Sequence, residues 1–239
     1  MLVSSRAAYI LHKRPYRETS QIIEVFSRDH GRVCLMSKGS RGARSPVGGL
    51  LQPFRPLLLG WQGRGEMPSL RTVDAADSRP PRLGGRELMS AFYLNELIMR
   101  LLHRHDVYEA LFDDYHTVLY ALQSPAGLEA GLRSFEKKML RHLGFGLNLE
   151  HDADSGEAVR ADALYAYHFE HGPVLSGPDA SSQYPVVTGD SLLAFAGDAL
   201  RSERQLADIK RLMRYVIHNH LGGRELKSRE LFRNPRITG

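Results

Sequence analysis

The sequence predicts an α+β protein of more than one domain, with a five-stranded barrel followed by a mainly α-helical domain. Short runs rich in β-branched and aromatic residues recur through about the first 75 residues. From about residue 86 the apolar residues recur with helical spacing instead. Two prolines and two glycines lie between these regions, in segment 78–85 (SRPPRLGG), and such a cluster is typical of a domain boundary.

We therefore assign residues 1–78 to the barrel, residues 79–85 to a linker and residues 86–239 to the helical domain. The two-domain organisation agrees with the length of 239 residues. Residues 147–187 follow neither period clearly, so we predict an irregular segment there with two short strands, at 164–169 and 173–175.

Five runs in the first domain read as strands: Ala8–Lys13, Ile22–Phe26, Val33–Met36, Phe54–Trp61 and about Met67–Ala75. The glycine of Asp29-His30-Gly31 fits a tight hairpin turn between the second and third strands. Pro15 cannot occupy a central strand, so the chain must turn or reach a sheet edge there. Five strands at this spacing fit an OB-fold, although the spacing alone fits an SH3-like barrel equally well.

The second domain begins with a helix at about 86–104 that is apolar around most of its circumference, which indicates burial. Asp106 and Glu109 predict a capping box for a second helix, and Ser124-Pro125 predict the start of a third that ends at Gly144. The third helix carries an apolar stripe, which consists of Leu128, Leu132, Phe135 and Met139.

Two helices and a short terminal segment complete the predicted domain. The first helix covers about 190–200, and Ser202 with Gln205 marks the start of the longer one, which Gly222-Gly223 ends. Its inward face comprises Leu206, Ile209, Met213, Val216, Ile217 and His220. Segment 227–233 (KSRELFR) predicts a last helical turn in which Leu231 and Phe232 pack on the body.

Charge is distributed unevenly along the chain. The net charge is +5, but residues 1–72 contain 12 Lys and Arg against 4 acidic residues, giving +8, and the remainder carries −3. Lys38, Arg41 and Arg44 follow the hairpin and are separated by glycine and serine, so they lie on a polar, flexible backbone. A basic first domain on a slightly acidic body predicts binding to a polyanion.

Composition favours a cytoplasmic protein without a membrane segment. No apolar run approaches the about 20 residues that a membrane helix requires, and the N-terminal residues do not resemble a secretion signal. The one cysteine, Cys34, cannot form an internal disulfide. It lies within a strand with no recognisable base beside it, so we interpret it as a packed thiol.

Six strings in the chain resemble the RecO family of bacterial DNA repair proteins, in the same order and over most of the length. They are YILHKRPYRETS (9–20), GRVCLMSKGSRG (31–42), LQPFRPLLL (51–59), YLNEL (93–97), LRSFEKKMLRHLGFG (132–146) and KSRELFR (227–233). The resemblance implies an OB-fold, a helical body, binding to single- and double-stranded DNA and annealing of complementary strands. It also implies partnership with RecR and with single-strand-binding protein in the loading of RecA.

The expected DNA-binding residues are seven cations of the first domain: Arg14, Arg32, Lys38, Arg41, Arg44, Arg55 and Arg64. Tyr16 or Trp61 could stack on bases, although Trp61 fits the barrel core better. Neutralising about five phosphates of a single strand predicts a slope of log K against log salt of roughly −3 to −4.

Arg133, Lys137 and Arg141 recur every four residues on the third predicted helix. The resemblance implies that the helical body of the family binds the acidic, apolar C-terminal tail of single-strand-binding protein. We therefore expect these cations, Arg133 first, to pair with the carboxylates of that tail; the alternative is a solvated helix face.

Some members of the family carry a four-cysteine zinc site that begins CxxCG after the LGFG string. This chain has Asp152-Ala153-Asp154-Ser155-Gly156 there, with neither thiolate, so we predict no structural zinc. We expect no other cofactor.

Two other functions remain open at this stage. His103, His105 and Asp106 resemble part of a metal-dependent phosphohydrolase site, so the chain could hydrolyse nucleic acid or another phosphoester. His168 and His171 lack the spacing of a zinc-protease helix, and the SKGSRGARS loop lacks the ending of a P-loop. The second alternative is an RNA-binding OB-fold module. Our leading prediction is a non-enzymatic DNA-binding recombination mediator.

Overall fold

The structure is a computed structural model that describes residues 2–42, 45–124, 127–177 and 183–228. The strands are β1 (Leu2–Tyr16), β2 (Ser20–Ser27), β3 (Gly31–Ser37), β4 (Leu57–Gln62), β5 (Ser69–Ala75), β6 (Leu164–His168), β7 (Gly172–Leu175) and β8 (Val186–Thr188). The helices are α1 (Pro46–Leu50), α2 (Gly85–Leu101), α3 (Glu109–Ala121), α4 (Leu128–His142), α5 (Gly189–Ala196) and α6 (Glu203–His220). No helix among these residues is both long and apolar enough to cross a membrane.

The first five strands form a closed barrel in the order β1-β2-β3-β5-β4. Strand β1 is long enough to pair antiparallel with β4 along residues 2–8 and with β2 along residues 8–16. The barrel closes where β3 meets β5 in parallel, with Met36 opposite Ser69. This topology confirms the predicted OB-fold and excludes the alternative of an SH3-like barrel. Pro15 pairs with Gln21 beyond the part of β1 that contacts β4, so it lies at a sheet edge.

The barrel interior is filled by alternate residues of the strands. Ile23 and Val25 of β2 face Val33 and Leu35 of β3 in this core, and the residues between them point outward. Trp61 is also part of the core and is 4% exposed, so the prediction that it packs in the barrel is confirmed. Leu51 follows the short helix α1 and packs into the same core.

Gly31 begins β3 after the turn predicted for Asp29-His30-Gly31. Its φ of +62° is a left-handed conformation, which costs an L-residue about 1–2 kcal/mol. A Cβ at this position would lie 1.9 Å from the carbonyl oxygen of Asp106. The turn therefore needs glycine for its backbone conformation and for its close contact with residue 106.

Helices α2 and α3 pack on the outer face of β1 and β2. The rings of Tyr9 and Tyr115 lie 5.1 Å apart, and those of Phe26 and Phe112 lie 5.4 Å apart. Within this layer the Asn95 amide donates to the Leu11 carbonyl at 2.8 Å and accepts from the Tyr115 hydroxyl at 2.5 Å. Because Asn95 is buried and both sides of its amide are hydrogen-bonded, it fixes both helices to the barrel.

The chain forms two compact units. The first contains the barrel, α2, α3 and the described residues from Leu226 onward, and the second contains Ser124–Glu225. The segment 79–85 lies inside the first unit, since α2 and α3 pack on β1 and β2. These contacts do not test where the barrel and helical domains divide, so the boundary at 79–85 stays a prediction.

The second unit combines α4, α5 and α6 with a three-stranded sheet in the order β7-β6-β8. The two short strands predicted at 164–169 and 173–175 are present as β6 and β7, whereas β8 was not predicted. The apolar stripe predicted on α4 is buried, and α6 buries most of its predicted inward face. The last helix thus docks through its apolar side.

Helix starts were predicted with mixed success. Ser202 and Gln205 form the expected capping box of α6. The capping box predicted at Asp106 and Glu109 is wrong, because α3 begins at Glu109 after Tyr108 without a side-chain cap. Helix α4 begins after Gly127 rather than at Ser124, and Pro125 lies outside the described residues, as do Leu231 and Phe232.

Candidate nucleic-acid interface

A groove opens on the barrel between the β1–β2 turn, the end of β3 and the β4–β5 loop. Its volume is about 710 Å³. The β1–β2 hairpin contributes five lining residues, β3 and the residue after it contribute Met36 and Lys38, and the β4–β5 loop contributes Met67. The five hairpin residues are Tyr16 at the end of β1, Arg17, Glu18 and Thr19 in the turn, and Ser20 at the start of β2. OB-folds bind oligonucleotides on this part of the barrel, with the first-second and fourth-fifth strand loops as the walls.

The groove combines cations with apolar and aromatic surface. Lys38 and Arg17 are exposed, and the Arg17 guanidinium lies 5.3 Å from the centre of the Tyr16 ring. Met36 and Met67 add two flexible thioethers, which adapt to flat partners. Positive charge beside π-faces and apolar side chains suits a strand whose phosphates and bases both need partners.

Arg41 supports the groove rather than lining it. Its guanidinium donates to the carbonyl oxygen of Arg17 at 2.7 Å and to that of Glu18 at 3.3 Å, and its backbone N–H donates to the Thr19 carbonyl at 3.0 Å. These bonds hold the β1–β2 turn, where Arg17 has a φ of +54°. Arg41 thus adds charge near the groove and fixes the residues that form it.

Arg14 lies on the same outer surface as the groove. It pairs with Ile22 across β1 and β2, and Ile22 pairs with Met36 across β2 and β3. Residues opposite each other in a sheet point to the same face, so Arg14, Ile22 and Met36 form one row that ends at the groove. Arg14 is exposed at the other end of that row.

The remaining predicted cations differ in position. Arg64 is exposed in the β4–β5 loop, three residues before Met67. Arg55 is half-buried before β4, does not line the groove, and its Nε has no hydrogen-bond partner among the described residues. Arg44 lies outside the described residues. Of the predicted cations, Lys38 thus lines the groove, and Arg14, Arg41 and Arg64 lie on adjoining segments.

Arg32 is engaged within the protein. Its guanidinium donates to the carbonyl oxygens of Met99 and Leu102, at the C-terminal end of α2, and its Nε lies 3.7 Å from Glu24. Burial lowers the pKa of Arg32, while the charge of Glu24 opposes that shift. Glu24 also pairs with Arg104. In this position Arg32 caps a helix and anchors it to the barrel.

Two of the eight lining residues, Tyr16 and Lys38, were expected from the sequence, and six were not, among them Arg17, Met36 and Met67. Arg17 was not selected because the first strand was predicted to end at Lys13, whereas β1 continues to Tyr16 and places Arg17 in the turn. The string PYRETS has the polar composition of a turn and could have indicated it. Met36 and Met67 were missed because a methionine in or before a strand usually indicates core packing.

In the second unit, only one of the three cations predicted to bind an acidic tail is exposed. Arg133 is 5% exposed, and its Nη1 lies 2.7 Å from the carboxylate of Glu136. Lys137 donates to the Phe195 carbonyl at 2.6 Å, near the end of α5, and pairs with Asp198 at 2.9 Å. Arg141 is exposed in the last turn of α4.

The candidate residues for enzymatic chemistry are two histidines and an aspartate after α2, and the cysteine of β3. His103, His105 and Asp106 are exposed, and no group of three or more metal-ligating side chains occurs within the described ranges. Cys34 is 5% exposed, and burial raises the pKa of its thiol, with Glu24 adding to the shift. A packed thiol at Cys34, as predicted from the strand pattern, is confirmed.

Hydrogen bonds to the Asp152 carboxylate hold the DADSG segment (152–156) in place. The Asp152 carboxylate accepts from the N–H of Asp154 at 3.0 Å, of Ser155 at 2.8 Å and of Leu175 at 2.6 Å, and from the Ser155 hydroxyl at 3.1 Å. The hydrogen bond from Ser155 N–H is the largest influence that lowers the Asp152 pKa. Both side chains at the expected cysteine positions thus bond to each other and to the loop, and this donor set does not fit a thiolate zinc site.

Comparisons with known proteins match the whole chain. The family model "Recombination protein O N terminal" matches residues 1–79, and "Recombination protein O C terminal" matches residues 83–230. A protein from Methylococcus capsulatus named DNA repair protein RecO is 45% identical, over 95% of this chain and 92% of its own length. A relative with the same name from Azoarcus sp. (strain BH72) is 45% identical, over 96% of this chain and 95% of its own length. Another, from Nitrosococcus oceani, is 43% identical, over 100% of this chain and 96% of its own length.

Proposed function

Because this chain belongs to the RecO family of DNA repair proteins, we propose that it is a DNA-binding recombination mediator that breaks no covalent bond. In this proposal it binds single- and double-stranded DNA, anneals complementary strands and helps to load RecA on DNA that single-strand-binding protein has coated. It would act on the nucleoid in the cytoplasm.

The observation that carries the proposal is the groove beside the β1–β2 turn. Seven of its eight lining residues come from the strings 9–20 and 31–42, which also carry the resemblance to the family. Its position on the OB barrel is where such folds bind oligonucleotides. The cations Arg17 and Lys38, the Tyr16 ring and the OB-fold therefore all support DNA as the ligand.

We assign the contacts by chemistry. Arg17 and Lys38 would pair with phosphates inside the groove, while Arg14 and Arg64 extend the positive surface on either side. Tyr16, Met36 and Met67 would contact bases, and base stacking on an aromatic ring contributes about 1–3 kcal/mol. None of these contacts reads a base edge, so binding should be largely independent of sequence.

Annealing requires charge rather than a nucleophile. Two strands repel each other through their phosphates, and a protein that neutralises phosphates while base edges stay accessible lets pairing begin. The exposed cations around the groove provide that neutralisation. Binding to RecR and to the acidic tail of single-strand-binding protein belongs to the same proposal, with exposed Arg141 as the cation on α4 that can reach a tail carboxylate.

The test is a double variant of the groove, Arg17→Gln/Lys38→Gln. Single-strand affinity is measured by fluorescence anisotropy over a series of salt concentrations, and annealing is followed with labelled complementary oligonucleotides. Four phosphate contacts by Arg14, Arg17, Lys38 and Arg64 predict a slope of about −3, and removing two should reduce it by about 1.4. The control is Arg79→Gln/Arg160→Gln, which removes two exposed arginines outside the groove.

An unchanged affinity and slope in the groove variant would exclude this DNA site. Cleavage of DNA or of a phosphoester in the presence of a divalent metal would favour the hydrolase alternative. Preferential binding of RNA over DNA of the same sequence, at equal salt, would favour the RNA-binding alternative.

A further inference from the structure

Helix α6 carries three arginines and a histidine in one row on its exposed side. Arg204, Arg211, Arg214 and His218 are exposed, and the one other member of the row is Ala207. Successive members are three or four residues apart, so at 100° per residue they fall within an arc of about 80°. We call these five residues the α6 basic row. Residues 73–239 carry a negative net charge, so the charge total of this region does not indicate the row.

The row has the dimensions of a phosphate-binding surface. From residue 204 to residue 218 the helix rises about 21 Å. One strand of a duplex places a phosphate every 3.4 Å, so the row spans about six phosphates. Arg204 and Arg214 have no side-chain hydrogen bond or ion pair with any residue that the structure describes, and their guanidinium groups can bind a ligand.

Two acidic residues of α6 adjoin the row, and one of them, Glu203 before Arg204, is exposed in the first turn. The other, Asp208, is 8% exposed and accepts hydrogen bonds from the side chains of Thr188 and Ser191. Its other oxygen accepts from Arg211 at 2.8 Å, and the Arg211 side chain remains 54% exposed. Asp208 therefore orients Arg211, while its own carboxylate is buried against Thr188 and Ser191.

The row lies on a rigid element. The apolar side of α6 is buried through Ile209, Met213 and Ile217, and the capping box fixes its first turn. Lys210, beside the row, pairs with Glu129 of α4 at 2.7 Å. The backbone that carries these side chains is already ordered, so only the side chains lose conformational entropy on binding an extended polyanion.

Aromatic rings adjoin the row. Tyr215 follows Arg214 and lies edge-on to Tyr184, with ring centres 6.4 Å apart. Tyr184 in turn stacks on His168, with centres 3.9 Å apart. A line of cations next to half-buried aromatic rings is the combination that binds single strands without sequence preference.

We propose that the α6 basic row binds the phosphate backbone of a second DNA strand, while the barrel groove holds the first. The inference rests on the proposed function, because a protein that anneals must bring two strands together. A row of three arginines and a histidine, without amide side chains that read base edges, favours a strand of any sequence. One chain would then contain both sites needed for annealing.

The test measures the two sites separately. The protein is saturated with an unlabelled single strand, and binding of a labelled non-complementary strand is followed by anisotropy. Arg204→Gln/Arg214→Gln should weaken binding of the second strand at least tenfold, and the salt slope of that step should fall by about 1.4. Affinity for the first strand should change less than twofold. The control is Arg79→Gln/Arg160→Gln, which should leave both steps unchanged.

The outcomes are distinct. Equal second-strand binding by the row variant and the wild type, or no second strand on the wild type, would overturn this inference and leave groove binding intact. No binding of the first strand would instead refute the proposed function. If the row variant loses affinity for an acidic peptide but keeps the second strand, the row is a peptide site and the inference is wrong. Circular dichroism of both variants checks that α6 remains folded.

Discussion

The carboxylate of Glu96 accepts a hydrogen bond from the backbone N–H of Ser228 at 2.8 Å, although 132 residues separate the two in sequence. The same carboxylate accepts from the Lys227 N–H at 3.0 Å. One side chain of α2 therefore holds the start of the C-terminal segment, since the free N–H groups at the beginning of a helical turn need an acceptor. The strings YLNEL and KSRELFR meet at this point.

Replacing Glu96 by Gln should reduce the free energy of unfolding by about 1–3 kcal/mol, because an amide cannot accept from both N–H groups in this geometry. Urea unfolding measures the change. Arg100→Gln is the matched control, since it removes only the ion pair with Glu96 at 3.4 Å and should cost at most about 0.5 kcal/mol. Equal effects of the two substitutions would contradict the assigned role.

The Glu96 interaction should also depend on pH. Burial raises the Glu96 pKa, but hydrogen bonds from Ser228 and Lys227 outweigh burial and bring it below the ordinary value of 4.5. A lowered pKa means that the stabilisation is complete above pH 4.5 and is lost as pH falls through the folded-state pKa. The difference in melting temperature between wild type and Glu96→Gln should therefore shrink below pH 4.5. A constant difference across that range would be inconsistent with an ionised Glu96.

Substitution of Arg32 by Gln should affect stability rather than DNA binding. The guanidinium bonds two carbonyls at the end of α2 and approaches Glu24, so its loss leaves part-buried acceptors and a half-buried carboxylate with fewer partners. We expect a loss of about 2–4 kcal/mol in unfolding free energy. Single-strand affinity at a temperature where the variant is folded should change less than twofold. A large drop in affinity without loss of stability would restore Arg32 as a DNA contact.

Asp152→Asn should loosen the 152–156 loop. The two carboxylate oxygens accept from different partners, and an asparagine has only one oxygen, so the N–H of Leu175 or those of the loop lose their acceptor. The expected cost is about 1–3 kcal/mol, with faster hydrogen exchange at Leu175. Metal analysis of the wild type should find no bound zinc, and a chelator should not change its melting temperature. One tightly bound zinc per chain would overturn this prediction.

Gly31→Ala and Gly39→Ala separate backbone strain from steric conflict. Both glycines have φ near +63°, at +62° and +64°, but only Gly31 has a neighbour where a Cβ would lie. Gly39→Ala should cost about 1–2 kcal/mol from its backbone conformation alone. Gly31→Ala should cost clearly more, because the chain at Asp106 must move. Thermal unfolding of the two variants provides the comparison, and equal costs would refute the close contact.

Local patterns predicted the barrel well because each strand is an apolar run with a distinct turn beside it. The hairpin at Gly31 and the capping box at Ser202 were visible in the sequence since all their parts lie within a few residues. Helix α1 was missed because glycine and proline dominate the loop that contains it. The hydrogen bonds of Arg32 and Lys137 are made to carbonyls 67 and 58 residues away, which no local pattern contains.

The packing of α2 and α3 on β1 and β2 has a practical consequence for attempts to isolate the barrel. A fragment that ended at residue 78 would leave Tyr9 and Phe26 uncovered, and each ring buries roughly 150–250 Å² in a packed protein. An apolar patch on β1 and β2 would then be exposed to solvent, and such fragments should aggregate. Recombinant work on the oligonucleotide groove should therefore keep the chain through residue 123, so that α2 and α3 shield that patch.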